Sequence, residues 1–258
     1  MAFRERIVGD QVIQATQYRF PYHYIPDAGT EQYLSRHWKF APSYIAALNL
    51  LAEHIKPVTE ANRTGFSHID IGCGDGAIIH HLAQQHGLDE KQLVGVDIDE
   101  RAIAWARLFN PGSKFYVGDL SDLEGGYDSA SLVEVLEHIP PDELPEFVAC
   151  STRLLKPGGT MIVTIPSVEK PVAAKHFQHF NFDDIRDILG AHLEKIEVRG
   201  FERHDRLTRV INRVRMNSVA RIDAPALNRV VIKRLRQLHT SQAGCGRLFV
   251  TAKRKTES

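Results

Sequence analysis

Only three cysteines occur in 258 residues, Cys73, Cys150 and Cys245, and no two stand in a CxxC spacing. An odd, scattered set excludes a disulfide framework and a zinc knuckle and suits a reducing compartment. Long apolar runs are missing too. No stretch approaches the ~18 to 20 residues of a membrane helix, and the opening MAFRERIVGD lacks the apolar core of a secretion signal. A cytoplasmic protein, off the membrane, is expected. Charge of one sign is lacking as well: Lys plus Arg and Asp plus Glu number 32 each, so no overall field draws the chain to nucleic acid or an acidic membrane. Neither GxGxxG nor GxxxxGK[ST] occurs, which removes the usual diphosphate cradles. There is no internal repeat and no low-complexity linker.

What is present is apolar content, 43% of residues, ample for a packed interior in a chain of this length. Residues 1 to 30, with YRFPYHYIPDAG, read as an irregular cover. Glu31 to Ile55 carries apolar residues at helical spacing, with Pro42 dividing it into two pieces. From Phe66 five short apolar runs follow: FSHIDI, QLVGVDI, KFYVG, YDSASLVEV and TMIVTIP. Helical patterns lie between them at Ala77–His86, Glu100–Phe109 and Pro141–Leu155, and a further one follows the fifth run at Asp183–Leu189. Strands alternating with helices mean crossover units, hence a doubly wound α/β fold with a parallel sheet. HLEKIEVRGF and GRLFVTAKR supply a sixth and a seventh strand. The expected organisation is a cover over 1–64, a core over 65–200 plus 243–258, and an insertion over 201–242.

That insertion is basic. Arg199 to Arg236 holds eleven Lys/Arg against Glu202, Asp205 and Asp223. One reading is a solvated helical pair whose apolar face is Val210, Ile211, Val214, Val230, Ile232 and Leu235. The other is a cap that attracts an anionic acceptor, because an insertion leaving the carboxyl end of a parallel strand emerges where open α/β sheets bind ligands.

HIDIGCGDGA joins the first strand to the first helix of the alternation through Gly72, Gly74 and Gly76. Alternating glycines permit a tight turn and close approach of a ligand to the backbone. Asp70 lies just before them and Asp75 among them, which suits a cationic ligand better than a diphosphate. Asp97 ends the next strand, 27 positions after Asp70, where a carboxylate can take both ribose hydroxyls of a nucleoside. Asp119 in YVGDL ends the strand after that and could accept from an adenine amine. In order, DIGCGDG, GVDIDERAIAWAR, FYVGDL, YDSASLVEVLEHI and LLKPGGTMIVTIPS resemble the class I S-adenosylmethionine-dependent methyltransferases from about Phe66 to Ser167. The resemblance implies a seven-stranded, mostly parallel sheet with the last strand antiparallel. It puts the methionine part of S-adenosylmethionine near Asp70 and Gly72, in the loop with Gly74 and Gly76. Ribose falls on Asp97 with Ile98 beside it, adenine on Asp119 and Leu120, and Glu134 at the cofactor's edge.

A sulfonium methyl needs a nucleophile held in line and, for a hydroxyl, a proton acceptor. After the fourth strand stands EVLEH, not an Asn/Asp-Pro-Pro-aromatic tetrad that clamps a planar amine, and no Pro-Cys pair offers a thiolate. Oxygen is therefore the expected acceptor atom, on a small hydroxylated metabolite that includes sugars and phosphorylated compounds. The bases available are His138, His176 and His179. EVLEH and a later histidine are also similar to the small-RNA terminal 2′-O-methyltransferases, and on that pattern Glu134, Glu137, His138 and His179 would hold Mg²⁺ or Mn²⁺. FNFD, where those enzymes carry a Phe-Glu-Trp-like run, and the balanced charge depart from that pattern. The expectation is an O-methyltransferase using an imidazole base. The alternatives are a metal-dependent RNA 2′-O-methyltransferase and a cofactor-binding module without catalysis.

Overall fold

The computed structural model describes residues 23, 41–61, 65–215, 222 and 224–256. In chain order its elements are α1 (Ala41–Ala61), β1 (His68–Ile71), α2 (Ala77–His86), β2 (Leu93–Asp97), α3 (Glu100–Phe109), β3 (Lys114–Val117) and β4 (Tyr127–Val133). After these come α4 (Leu144–Arg153), β5 (Leu155–Pro166), α5 (Phe182–Gly190), β6 (Leu193–Arg203), α6 (Arg206–Arg215), α7 (Pro225–Leu235) and β7 (Cys245–Arg254).

The strands form one sheet of order β3-β2-β1-β4-β5-β7-β6. β1 to β5 pair in parallel, whereas β7 runs antiparallel between β5 and β6. β1, β2 and β4 are buried on both faces and read as apolar runs, whereas β3 at the edge of the sheet alternates exposed and buried residues. On one face Ile69, Val94, Val163 and Val250 pack with Leu144 and Val148 of α4 and Ile185 and Leu189 of α5. On the other, Val133, Ile162 and Phe249 pack with Leu51 and Ile55 of α1, Ile79 and Leu82 of α2, and Ile103 of α3. The expected doubly wound seven-stranded architecture is borne out.

The boundaries move for local reasons. α1 starts at Ala41, so Pro42 stands in the first turn, where its missing N–H has no intrahelical partner to lose. The piece expected before it lies outside the described residues. Past Ile55 the helix continues through Pro57 to Ala61. α4 begins at Leu144 rather than Pro141, because Pro140 carbonyl first accepts from the Glu143 and Leu144 N–H groups in a turn.

Between β6 and β7 stand two helices. α7 turns Val231, Ile232 and Leu235 onto Ala41, Ile45 and Ala46 of α1, with Ile211 of α6 against the same cluster. Of the apolar face expected there, Val210, Val214 and Val230 are instead exposed. In α6 residues 210 and 214 share a helical face turned from α7, and in α7 Val231 takes the inward position beside Val230. Among the described residues no helix is long and apolar enough to cross a membrane.

Candidate active site

Parallel strands β1 to β5 all deliver their carboxyl ends to one edge, and the candidate residues gather there. The chain leaves β1 and folds its glycine loop back on the end of β2: Gly72 and Cys73 N–H both donate to the Val96 carbonyl, at 2.8 and 3.0 Å. Gly72 has φ +72°, and a Cβ on it would stand 2.6 Å from Val135 Cγ2. Gly76 has φ +78°, with Ala106 and Asn110 2.9 Å from the place of a Cβ. A side chain at either position meets both backbone strain and collision.

Asp97 fastens this loop. Its carboxylate accepts from Gly74 N–H at 2.8 Å and from Asp99 N–H at 2.8 Å. Desolvation nevertheless raises its pKa, against those backbone bonds. Ile98 beside it is exposed, Leu120 is buried, and Asp119 accepts from Ser121 N–H at 2.8 Å at the end of β3. Gly118 N–H donates to the Asp97 carbonyl at 3.1 Å, which sets the β2 and β3 ends side by side. Asp70, the loop, Asp97, Asp119 and Leu120 are thus brought to one edge.

Asp70 is fully buried, and its Oδ1 accepts from Ser131 Oγ at 2.5 Å. Its Oδ2 has no hydrogen-bond partner among the described residues. Burial raises its pKa to about 7, opposed by the Ser131 bond and aided by Asp97. Behind it His68 bonds Ser131 Oγ at 3.0 Å and Ser129 Oγ at 2.8 Å. Sequence reasoning missed this ladder; its signal was small hydroxyls at every second position of an apolar strand, YDSASLV. Also missed was His23, whose Nδ1 donates to Asp75 at 2.9 Å and whose ring lies 4.8 Å from Tyr44.

Glu134 follows β4 with φ +56°, a strained backbone for a side chain of its kind. It accepts from Thr164 Oγ1 at 3.2 Å and from Arg247 Nε at 2.9 Å. Arg247 also pairs with Glu202, which accepts from Lys170 Nζ at 2.5 Å and Ser43 Oγ at 2.6 Å. Burial pushes the Glu202 carboxyl up, but Arg247, His204 and Lys170 outweigh it and hold the group well below the usual range.

Glu137 and His138 lie in the 3-10 turn Leu136–His138. The segment after β5 returns over them: Ser167 pairs with Phe180, and Phe177 N–H donates to the Glu137 carbonyl at 2.9 Å. His176 and His179 ride on this segment. His138 Nδ1 donates to the Lys175 carbonyl at 2.8 Å, and His179 Nδ1 to the Lys170 carbonyl at 3.0 Å. A carbonyl only accepts, so in the neutral rings both Nδ1 atoms carry the hydrogen. His179 Nε2 then accepts from His176 Nδ1, at 2.9 Å. The rings of His138 and His176 are left with lone pairs on Nε2. Burial lowers His138 to about 4, with Lys175 adding, and His176 to about 3, with His138 adding. Glu137 is fully buried, and desolvation with Glu134 beside it raises its carboxyl well above the ordinary value. One ligand atom each of Glu137, His138 and His176 lies within 4.8 Å of the others. Of the four residues that the resemblance puts on a metal, this group contains two. Glu134 is instead engaged with Arg247, and both nitrogens of His179 are taken.

A glycine loop leaving β1, an acid closing β2 and a last strand inserted antiparallel between the fifth and sixth define a class I S-adenosylmethionine-dependent methyltransferase. The sequence model of a methyltransferase-domain family matches residues 38–203, and the chain belongs to that family. It is 27% identical over 138 residues to the cyclopropane-fatty-acyl-phospholipid synthase of Escherichia coli K12, a match that takes in 51% of this chain and 34% of the synthase. To the ubiquinone biosynthesis O-methyltransferase of Pseudomonas aeruginosa PAO1 it is 31% identical over 112 residues, 40% of this chain and 46% of that enzyme. The chain thus spans about a third to a half of the length of these two relatives. In fold it is similar to the magnesium protoporphyrin IX methyltransferase of Synechocystis PCC 6803 with bound S-adenosylmethionine. The TM-score is 0.60 at 19% identity, over 97% of this chain and all of that one.

Proposed function

We propose that this enzyme moves the methyl of S-adenosylmethionine to an oxygen of a small hydroxylated metabolite, sugars and phosphorylated compounds included, in the cytoplasm. The observation that carries the reading is the pair of neutral imidazole lone pairs, on His138 and His176, beside buried Glu137 at the carboxyl edge of the sheet. A hydroxyl must give up a proton when its oxygen is methylated, and this cluster takes it up. The name of the ubiquinone biosynthesis relative, an O-methyltransferase, supports the same acceptor atom. In this reading Asp70, Gly72, Gly74 and Gly76 surround the methionine part, Asp97 and Ile98 the ribose, Asp119 and Leu120 the adenine, and Glu134 borders the site. The orphaned Oδ2 of Asp70 fits the group, since S-adenosylmethionine brings a fixed cation to a buried carboxylate. A screen for transfer of labelled methyl to sugars, nucleotide sugars, phenols and short RNA tests the reading. Transfer to an amine or a thiol alone would sink it.

Asp70 also gives cofactor binding a pH dependence. Its carboxyl titrates at about 7 without the cofactor, and a sulfonium beside it lowers that value, so binding expels a proton. Affinity is therefore expected to rise from about pH 6 to about pH 8 and then level. Calorimetry in two buffers of different ionisation enthalpy reads the released proton. Asp70→Asn should flatten the dependence, and a pH-independent affinity in the unaltered chain rejects this placement.

The helices between β6 and β7 form the edge of the acceptor site in this reading. Arg206, Arg209 and Arg213 of α6 are exposed; the side chain of Arg215 lies outside the described residues. Changing Arg206, Arg209 and Arg213 to Gln should raise the KM for an anionic acceptor, more at low salt than at high, with cofactor affinity unchanged. An unaltered KM at low salt would leave them a solvated face.

A further inference from the structure

Two facts about the cluster at the β4 end are unexplained by packing. Glu137 is fully buried, yet neither carboxylate oxygen has a hydrogen-bond partner among the described residues. The two imidazoles facing it spend their only hydrogens elsewhere. His138 Nδ1 is fixed by the Lys175 carbonyl, and His176 Nδ1 by His179, which is in turn fixed by the Lys170 carbonyl. Neither ring hydrogen is turned to Glu137: His138 Nε2 stands 3.9 Å from Oε1, and positive charge acts on the carboxyl from half-buried Lys175. The two rings are perpendicular, at 89°, with centroids 4.8 Å apart. One ligand atom each of the three residues lies within 4.8 Å of the others, and the ring hydrogens are spent outside the group, that of His138 on the Lys175 carbonyl and that of His176 on the His179 ring.

This is the arrangement in which a ring nitrogen is made ready for a cation, since metal-bound histidines commonly donate their other nitrogen to a carbonyl or similar acceptor. We propose that Glu137, His138 and His176 hold a divalent first-row transition ion. Two imidazole nitrogens and one carboxylate oxygen suit Mn²⁺, Fe²⁺, Co²⁺ or Zn²⁺ better than Mg²⁺, which prefers a shell of oxygens. The set differs from the one the RNA methyltransferase resemblance implies. Glu134 is outside it, engaged by Arg247 and Thr164. His179 is a positioning residue that fixes the ring of His176. Donor atoms around one ion stand about 3 to 3.5 Å apart, so closing the group from its 4.8 Å spread takes shifts of about an ångström. Three ligands leave coordination positions open, and an ion there supplies a Lewis acid that lowers the pKa of a bound hydroxyl. This deepens the proposed reading at the same residues: with the ion bound, the nitrogens of His138 and His176 are ligands and not bases, and the hydroxyl's proton, made more acidic by the ion, would pass to solvent.

Titration of the untagged, EDTA-stripped full chain with Co²⁺ tests this without reference to turnover. The visible absorption of bound Co²⁺ should saturate at about one equivalent per chain, yield to Zn²⁺ and resist Mg²⁺. Glu137→Gln, which keeps the volume, and His176→Ala should each weaken Co²⁺ binding at least about 100-fold, and His179→Ala by about 10- to 100-fold. Glu134→Gln should cost less than about ten-fold, through charge alone. Circular dichroism and melting show that each variant is folded. Two results overturn the site: a folded, stripped chain without a bound-Co²⁺ spectrum, or a spectrum and affinity kept by both Glu137→Gln and His176→Ala. The second would put the ion elsewhere, as on His81 and His86, whose Nε2 atoms lie 3.3 Å apart. Either can occur with methyl transfer to oxygen intact, which separates failure of the site from failure of the proposed reaction.

Discussion

Asp97→Ala is expected to weaken S-adenosylmethionine binding by at least about ten-fold. A carboxylate that accepts from both ribose hydroxyls contributes roughly 1.5 to 3 kcal/mol. The structure adds a second source of loss, because the same carboxylate accepts from Gly74 and Asp99 N–H. Without it the glycine loop loses the bond that ties it to the end of β2. On the proposed cofactor placement alanine removes both functions, so its effect should exceed that of Asp119→Ala, where that placement puts a single adenine contact beside the turn to Ser121. Asp97→Asn separates them. It keeps an oxygen for one backbone donor and loses charge and bidentate acceptance, so its deficit should fall between wild type and alanine. Calorimetry on the folded variants measures all three. Unchanged affinity in Asp97→Ala would remove ribose from this carboxylate.

What could be read in advance divides by how local the cause is. The glycine loop, Asp97 and Asp119 were legible because strand ends and turn residues are set by neighbours in the chain, and crossover topology brings them to one edge. The same logic gave seven strands with correct order of types. Contacts made across the sheet were not legible. Arg247 reads as one polar residue in a strand, and only the insertion of β7 between β5 and β6 puts it between Glu134 and Glu202. His68 with Ser129 and Ser131 depends on the β1–β4 register, in which Asp70 lies opposite Ser131. The three histidines were visible, but which nitrogens face inward follows from two backbone carbonyls, at Lys170 and Lys175, that no pattern of side chains reveals. For the same reason the sequence pattern cannot tell His176 from His179: which of them keeps an unengaged nitrogen depends on the hydrogen bond between them and on the one from His179 to the Lys170 carbonyl.

His176→Ala and His138→Ala should each lower kcat by at least about 100-fold, the ordinary cost of losing a group that receives a proton in the transition state. Cofactor affinity should stay within about two-fold of wild type, since the loss is confined to the transition state. The distinctive variant is His179→Ala. Its ring holds the hydrogen of His176 Nδ1 outward, and without it the imidazole of His176 is free to turn or to adopt the other tautomer, which blocks the inward lone pair. A structural wall residue predicts loss of stability with kcat kept. A positioning residue predicts the reverse: melting close to wild type, KM for the acceptor little changed, and kcat reduced by about ten-fold or more. His179→Gln, which can still accept from His176 Nδ1 through its amide oxygen, should recover part of that loss. If His179→Ala and His179→Gln are equally impaired, the chain of hydrogen bonds from Lys170 to His176 does not govern the reaction. Exhaustive EDTA treatment then divides the two uses of the inward nitrogens. Activity that survives it leaves His138 and His176 acting on the acceptor's proton themselves, and activity lost and then restored by Mn²⁺ or Co²⁺ puts the ion between them.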